Sequence, residues 1–174
     1  MPTPGAAELE VLDSIQRRVL WLATWMVHHA NFGRENPEGT KVGGHQASSA
    51  SVVTLLTALY FRALRSTDLV AVKAHGSPAF YACHYLRGNL DRAMLPQLRQ
   101  YRGLQAYPSR RGNRELVDLS TGSMGLGAVS ATFGGWAARY LADRVGAAPP
   151  GRVIVMVGDA ELDEGNVWEA LQEE

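Results

Sequence analysis

The hydrophobic positions of the chain follow two patterns, one typical of amphipathic helices and one typical of buried strands. In residues 7–31 the apolar side chains return every three or four positions, with polar ones between them, and this spacing predicts a helix. The same spacing predicts helices over about 48–65 and 124–144. Two short runs, 68–76 and 152–157, are rich in apolar residues without alternation, which predicts buried strands.

Helices therefore alternate with strands along the chain. This order indicates an α/β fold around a parallel sheet, because strands with helices packed over both faces have no polar side. In such sheets ligands bind beyond the carboxyl ends of the strands. The rule selects two candidate places: His75-Gly76-Ser77 after the first strand, and Gly158-Asp159-Ala160-Glu161 after the second.

Composition and charge narrow the class of protein. The chain has 174 residues, of which 46% are hydrophobic and 20% charged, and its formal net charge is zero. This length can bury a core, and the balanced charge indicates neither nucleic acid nor a membrane surface as a partner. The single cysteine, Cys83, cannot form an intramolecular disulfide, and we see no signal-peptide pattern and no apolar run of membrane length. We therefore expect a cytoplasmic protein.

The acidic stretch that begins at Asp159 follows the second strand directly. A carboxylate at this point can hold a hard cation, and Mg²⁺ in proteins takes one or two carboxylates and completes its shell with phosphate oxygens and water. A helix that begins near Glu161 would place its positive end beside a diphosphate. The alternative is structural: Asp159 caps that helix, and the acids up to Glu164 form its solvated first turn.

Two histidines stand beside glycine and serine where helices are expected to begin. His45 lies in the segment GGHQASSAS, before a helix for which Ser48 or Ser49 is the predicted N-cap, and His75 precedes a helix with Ser77 as predicted N-cap. An imidazole in such a place can donate a hydrogen bond to an anion or move a proton near neutral pH. The alternative is that both are ordinary loop histidines.

A third stretch, STGSMGLGAVS at 120–130, is rich in glycine. Gly125-x-Gly127-x-x-Ser130 partly matches the dinucleotide fingerprint, with ELVDLS at 115–120 as its leading strand and Asp159 as the acid that meets a ribose. A nicotinamide-binding enzyme is therefore one interpretation. The other is that small residues here allow a helix to pack closely on the sheet.

Taken in order, four motifs resemble the thiamine-diphosphate-dependent enzymes of the transketolase group, and most closely the homodimeric type of pyruvate dehydrogenase E1 component. They are GGHQASSASVVTLLTALYF, HGSPAFYACHYLRGNL, AYPS with LSTGSMGLGAVSA after it, and VGDAELDEGNVWEAL. The resemblance covers about 40–171. It implies an N-terminal helix and loop at 1–39, then an incomplete thiamine-diphosphate-binding domain at 40–174, with a partial parallel sheet and helices on both faces.

The resemblance implies an enzyme that uses thiamine diphosphate and Mg²⁺ to act on a 2-oxo acid or a sugar phosphate. Asp159 corresponds to the aspartate that ligates Mg²⁺, and Gly158, Ala160 and Glu161 correspond to its neighbours around the diphosphate. The family has a glycine where Ala160 stands. If this position needs a positive φ, alanine adds strain of about 1 kcal/mol.

Other positions correspond to the rest of the cofactor site. Ser48, His45 and His75 correspond to residues that line the diphosphate and the reacting centre, and the two histidines would act catalytically on a developing alkoxide. The stretch beside the aminopyrimidine ring corresponds to Ser123, Met124 and Gly125.

The family's second magnesium ligand and its activating glutamate lie beyond the position that corresponds to Glu174. We therefore expect a chain that carries part of a cofactor site, is not active alone, and self-associates or pairs with a complementary chain. The alternative is a catalytically inert binding or assembly module that pairs with a second chain.

Overall fold

The computed structural model describes residues 2–148 and 151–173, which form two compact units. Unit 1 comprises Met1–Leu64 and His75–Ala106, and unit 2 comprises Arg65–Ala74 and Tyr107–Glu174. Helices and a parallel sheet are both present, which confirms the α/β fold class. In the described part of the chain, no helix is long and apolar enough to cross a membrane. The domain boundary between residues 39 and 40 stays a prediction.

Unit 1 is helical. Its elements in chain order are α1 (Ala6–His28), a π-helical turn (His29–Gly33), α2 (Gln46–Ala50), α3 (Val53–Ala58), a second π-helical turn (Leu59–Ala63), α4 (Ser77–Leu86) and a 3₁₀ segment (Arg92–Gln97). Helix α4 contacts α1, α2 and α3, and its residues from Ser77 to His84 are all buried. A helix buried all round is the centre of a core, so α4 is the element on which unit 1 is built.

The single helix predicted over 48–65 is wrong in detail, because α2 and α3 are separate helices. His45, and neither Ser48 nor Ser49, occupies the N-cap position of α2. The Ser49 hydroxyl instead accepts a hydrogen bond from the Ala79 N–H (3.0 Å). Likewise Ser77 lies inside α4, whose N-cap is Gly76, and its hydroxyl donates to the Ala106 carbonyl (2.6 Å). These hydroxyls join distant segments, which outweighs their local preference for helix ends.

Unit 2 contains the sheet. Strand β1 (Leu69–Ala71) pairs in parallel with β2 (Val153–Val155), with Val70 opposite Ile154. The chain between them forms α5 (Leu126–Val145), which packs against both strands, and β2 is followed by a 3₁₀ turn (Ala160–Asp163) and α6 (Gly165–Leu171). A parallel pair needs such a crossover, so α5 is the connection that the sequence pattern predicts.

The edges of this small sheet are held by carboxylates. ELVDLS at 115–120 forms no strand, contrary to our suggestion; Asp118 instead accepts a hydrogen bond from the Val70 N–H (3.0 Å). Buried Asp68 accepts from both the backbone N–H and the guanidinium of Arg152, the latter at 2.5 Å. The bond from the Arg152 side chain holds the pKa of Asp68 well below its usual range, against the opposing effect of burial. The first residues of the two strands are therefore tied together.

Candidate functional site

The predicted site residues fall into two groups, one in each unit. In unit 1, His45 and His75 lie against each other, with ring centroids 4.2 Å apart and ring planes inclined by 36°. His45 is exposed on extended backbone before α2, and His75 is half-buried in the 3₁₀ turn (Ala74–Gly76) that leads into α4. The structure thus brings together two imidazoles that are distant in sequence.

Helix packing holds this pair in place. The bond from the Ala79 N–H to Ser49 ties α2 to α4, so the residues that precede the two helices also meet. One turn into α2, the Ser48 hydroxyl is buried and has no hydrogen-bond partner among the described residues. A buried unpartnered hydroxyl is costly in a folded protein, so Ser48 suits a ligand with acceptor oxygens, as phosphates have.

In unit 2, the turn after β2 is closed by a reciprocal pair of hydrogen bonds. The Gly158 N–H donates to Glu161 Oε2 (2.7 Å), and the Glu161 N–H donates to the Gly158 carbonyl (3.0 Å). Glu161 is only 7% exposed, so its carboxylate is part of the turn rather than of a solvated helix start. The structural alternative is therefore wrong for Glu161.

Asp159 differs from Glu161. Its side chain is exposed, and it forms no capping hydrogen bond with the 3₁₀ turn that follows. Asp159 thus occupies the N-cap position of the 3₁₀ turn, as the structural alternative predicts, but without a capping bond from its side chain, so its carboxylate oxygens are available to a hard cation. Ala160 is exposed in that same turn and has no positive φ, so the strain considered for alanine is absent.

The glycine-rich stretch lies against the start of α6. Gly125 has φ +75°, which favours glycine, and a Cβ there would also require the Asn166 side chain to move, since its Oδ1 would stand 2.4 Å away. Ser123 is exposed and Met124 is half-buried in the turn that leads into α5. A dinucleotide fingerprint needs a strand directly before its glycines, and 115–120 is not one, which removes the basis of the nicotinamide interpretation.

Lys73 is a residue that sequence reasoning missed. It lies two positions beyond β1, half-buried, with its Cε 3.0 Å and its Nζ 3.4 Å from where a Cβ on Gly158 would stand. The available signal was a lone lysine at the carboxyl end of an apolar run. Lys73 therefore lies at the same end of the parallel pair as Gly158.

Two other titratable groups belong to the core of unit 1. Burial raises the pKa of the Cys83 thiol to about 12, so the thiolate is not accessible near neutral pH. Burial, together with the charge of Arg87, lowers the pKa of His84 to about 4. His84 packs between the rings of Tyr60 and Phe80, and we assign neither group to the site.

Comparison with known proteins gives the class to which these features belong. The family model for 1-deoxy-D-xylulose-5-phosphate synthase, in its amino-terminal part, matches residues 38–174. The chain therefore belongs to this family of thiamine-diphosphate-dependent enzymes, and the resemblance derived from the sequence motifs is confirmed.

Individual relatives come from the transketolase group and from the pyruvate dehydrogenases. The chain is 35% identical, over 82% of its length, to the 6-deoxy-6-sulfo-D-fructose transketolase subunit SqwG of Clostridium sp. (strain MSTE9). It is 33% identical, over 92% of its length, to the pyruvate dehydrogenase E1 component of Cupriavidus necator. It is 31% identical, over 74% of its length, to transketolase-like protein 2 of Bos taurus.

The chain spans only part of these relatives. The matched region is 54% of the Clostridium protein, 18% of the Cupriavidus protein and 21% of the bovine one. Taken separately, each unit has one feature that suits a diphosphate or its cation: an unpartnered buried hydroxyl at Ser48 in unit 1, and an exposed carboxylate without a capping bond at Asp159 in unit 2.

Proposed function

We propose that this chain is the diphosphate-binding part of a thiamine-diphosphate- and Mg²⁺-dependent enzyme that acts on a 2-oxo acid or a ketose phosphate. The single observation that carries the proposal is the state of Asp159. It follows β2 with its carboxylate exposed and uncommitted to capping the next turn. In a chain of this family, a carboxylate that neither caps the turn nor is buried in the core fits the role of a magnesium ligand.

The residues of unit 2 bind the charged end of the cofactor in this proposal. Asp159 holds Mg²⁺ through oxygen, and the diphosphate approaches the exposed part of the turn at Asp159 and Ala160, because the Gly158 and Glu161 N–H groups are already bonded within the turn. Glycine suits position 158 because the Lys73 side chain lies beside the place that a Cβ would fill. Ser123, Met124 and Gly125 take the position beside the aminopyrimidine ring.

The histidines of unit 1 have the proton-transfer role. Bound thiamine diphosphate supplies a nucleophilic carbon and an electron sink. His45 and His75 are in ring contact, so each limits the orientation of the other, and these imidazoles are the groups that transfer a proton to or from the substrate. The unpartnered Ser48 hydroxyl donates a hydrogen bond to an acceptor oxygen of the ligand.

A partner completes the enzyme in this proposal, either a second copy or a complementary chain. The Clostridium relative is named as a transketolase subunit, which favours a complementary chain. The competing function is a catalytically inert assembly module of the same family, which pairs with a second chain and binds no cofactor.

Titration calorimetry of the chain with thiamine diphosphate separates the two functions. The wild-type chain should bind the cofactor saturably in the presence of Mg²⁺ and much more weakly in EDTA. Asp159→Asn should lower the affinity about tenfold or more, because a charged ligand contact is lost.

Asp163→Asn is the matched control, since Asp163 is also exposed in the same acidic turn. It should bind like the wild type. A heat-silent titration of the wild-type chain would contradict the retained site and support the assembly module, and equal losses in both variants would show a general charge effect instead of a ligand at Asp159.

A further inference from the structure

We propose that Lys73 is an additional anion-binding residue of this chain, which holds the diphosphate group of the cofactor at the carboxyl ends of β1 and β2. This inference rests on the proposed function. No motif that carries the family resemblance includes Lys73, and the argument for it comes from the geometry of unit 2.

The first step is the position of the ammonium group. Lys73 Cε and Nζ lie 3.0 Å and 3.4 Å from the place of a Cβ on Gly158, and Glu161 Oε2 is 3.4 Å from the same point. The end of the Lys73 side chain thus lies next to the space that the side chain of a larger residue at position 158 would fill. Gly158 therefore gives room to the Lys73 side chain, which brings the ammonium beside the turn that contains Asp159.

The second step is that this ammonium has no partner. Among the described residues Lys73 forms neither a hydrogen bond nor an ion pair, and the nearby Glu161 carboxylate accepts a hydrogen bond from the Gly158 N–H. An ammonium has three donors, and those of Lys73 are available to an anion because no group of the described residues occupies them. A diphosphate oxygen beside Gly158 would accept a hydrogen bond from one of them.

The third step is the charge of the turn. The stretch from Asp159 to Glu164 contains four acids, Asp159, Glu161, Asp163 and Glu164, and no base. A diphosphate that approaches this turn is repelled unless cations offset the carboxylates. Mg²⁺ at Asp159 is one such cation, and Lys73, contributed by the neighbouring strand, is the other.

The test uses the fact that the sequence has only two lysines, Lys41 and Lys73. The full chain is titrated with inorganic pyrophosphate and with thiamine diphosphate, each with Mg²⁺. Lys73→Met should lower the affinity for both about tenfold or more, because a charged hydrogen bond is lost. Lys41→Met, the same change at an exposed loop residue, should leave both affinities within about twofold.

Acetylation of the wild-type chain, followed by mass spectrometry, gives a second measurement that needs no variant. Pyrophosphate and thiamine diphosphate should each slow the modification of Lys73 about fivefold or more, as a bound anion shields the amine. Lys41 should be unaffected, and unphosphorylated thiamine should protect neither lysine.

The outcomes separate this inference from the proposed function. If Lys73→Met binds both anions like the wild type, or if Lys73 is not protected, the inference is wrong while cofactor binding through Asp159 stands. If pyrophosphate protects Lys73 but thiamine diphosphate neither binds nor protects it, Lys73 is an anion site and the proposed cofactor is wrong. If the wild-type chain binds neither anion, both proposals fail.

Discussion

Unit 1 and unit 2 differ in how completely they bury their central elements. In unit 1, α4 is buried from Ser77 to His84, and the helices around it leave no face of it open. In unit 2, β2 is only half-buried, although the sequence predicted a buried strand. Helix α5 also carries large exposed apolar side chains: Phe133, Trp136, Tyr140, Leu141 and Val145.

The difference shows two ways of holding a candidate site residue. The position of His75 is set by α4, because His75 lies in the turn that leads into this helix. The core of unit 1 therefore determines where the imidazole lies. The turn after β2 depends on local bonds, above all the one between the Gly158 N–H and Glu161, and on one neighbouring strand among the described residues. Helix packing thus places His75 in unit 1, and hydrogen bonds within the turn place the residues after β2 in unit 2.

The difference in packing between the two units can be tested most directly by replacing one leucine with alanine in each unit. Leu56 of α3 is 0% exposed and Leu141 of α5 is 48% exposed. Leu56→Ala should lower the free energy of unfolding by about 2–5 kcal/mol, since it removes buried methyl groups and leaves a cavity. Leu141→Ala should change it by about 0.5 kcal/mol or less. Urea denaturation followed by circular dichroism measures both, and similar losses would show that α5 is as well packed as α3.

The buried histidine of unit 1 makes stability depend on pH. Burial and Arg87 lower the pKa of His84 to about 4, so between about pH 4 and 6.5 the unfolded chain binds more protons than the folded one. Stability should therefore fall as the pH is lowered through this window, by up to roughly 3 kcal/mol. His84→Phe should flatten this part of the stability curve.

His28→Phe is the control for this prediction, because His28 is an exposed histidine of α1 in the same unit. It should keep the wild-type dependence on pH. A wild-type stability that is constant between pH 4 and 6.5 would mean that His84 is not held neutral by the core.

Two glycines of unit 2 test whether backbone conformation contributes to the stability of this unit. Gly125→Ala should destabilise it by about 1–3 kcal/mol, because φ is +75° and the new Cβ would clash with Asn166. Gly134→Ala, inside α5 with open space around it, should stabilise it by about 0.5–1 kcal/mol. Thermal unfolding distinguishes the two signs, and stabilisation by both would exclude a special role for the turn at Gly125.

The sequence pattern was most informative where periodicity and motif agree. The helical spacing of 7–31 and 124–144 predicted α1 and α5, and the apolar runs predicted β1 and β2, because a buried face constrains every position along an element. The positions of serines were predicted poorly. Ser49 and Ser77 look like N-caps locally, but they are used in bonds between segments.

The candidate site was predicted in part for the same reason. His45, His75 and Asp159 were selected by their places at element ends, which is a property of chain order. That Glu161 is buried while Asp159 is exposed could not be predicted, since both belong to one acidic stretch. Lys73 was missed because only the pairing of β1 with β2 places it beside Gly158.

The sequence by itself determined the family, the order of helices and strands, and the residue types available for a cofactor, because these depend on motifs and on spacing along one chain. The tertiary structure alone decided which groups meet: the two imidazoles, the lysine beside the glycine turn, and the carboxylate that is left exposed. Such contacts depend on how distant segments pack and share their hydrogen bonds, and no local pattern records that.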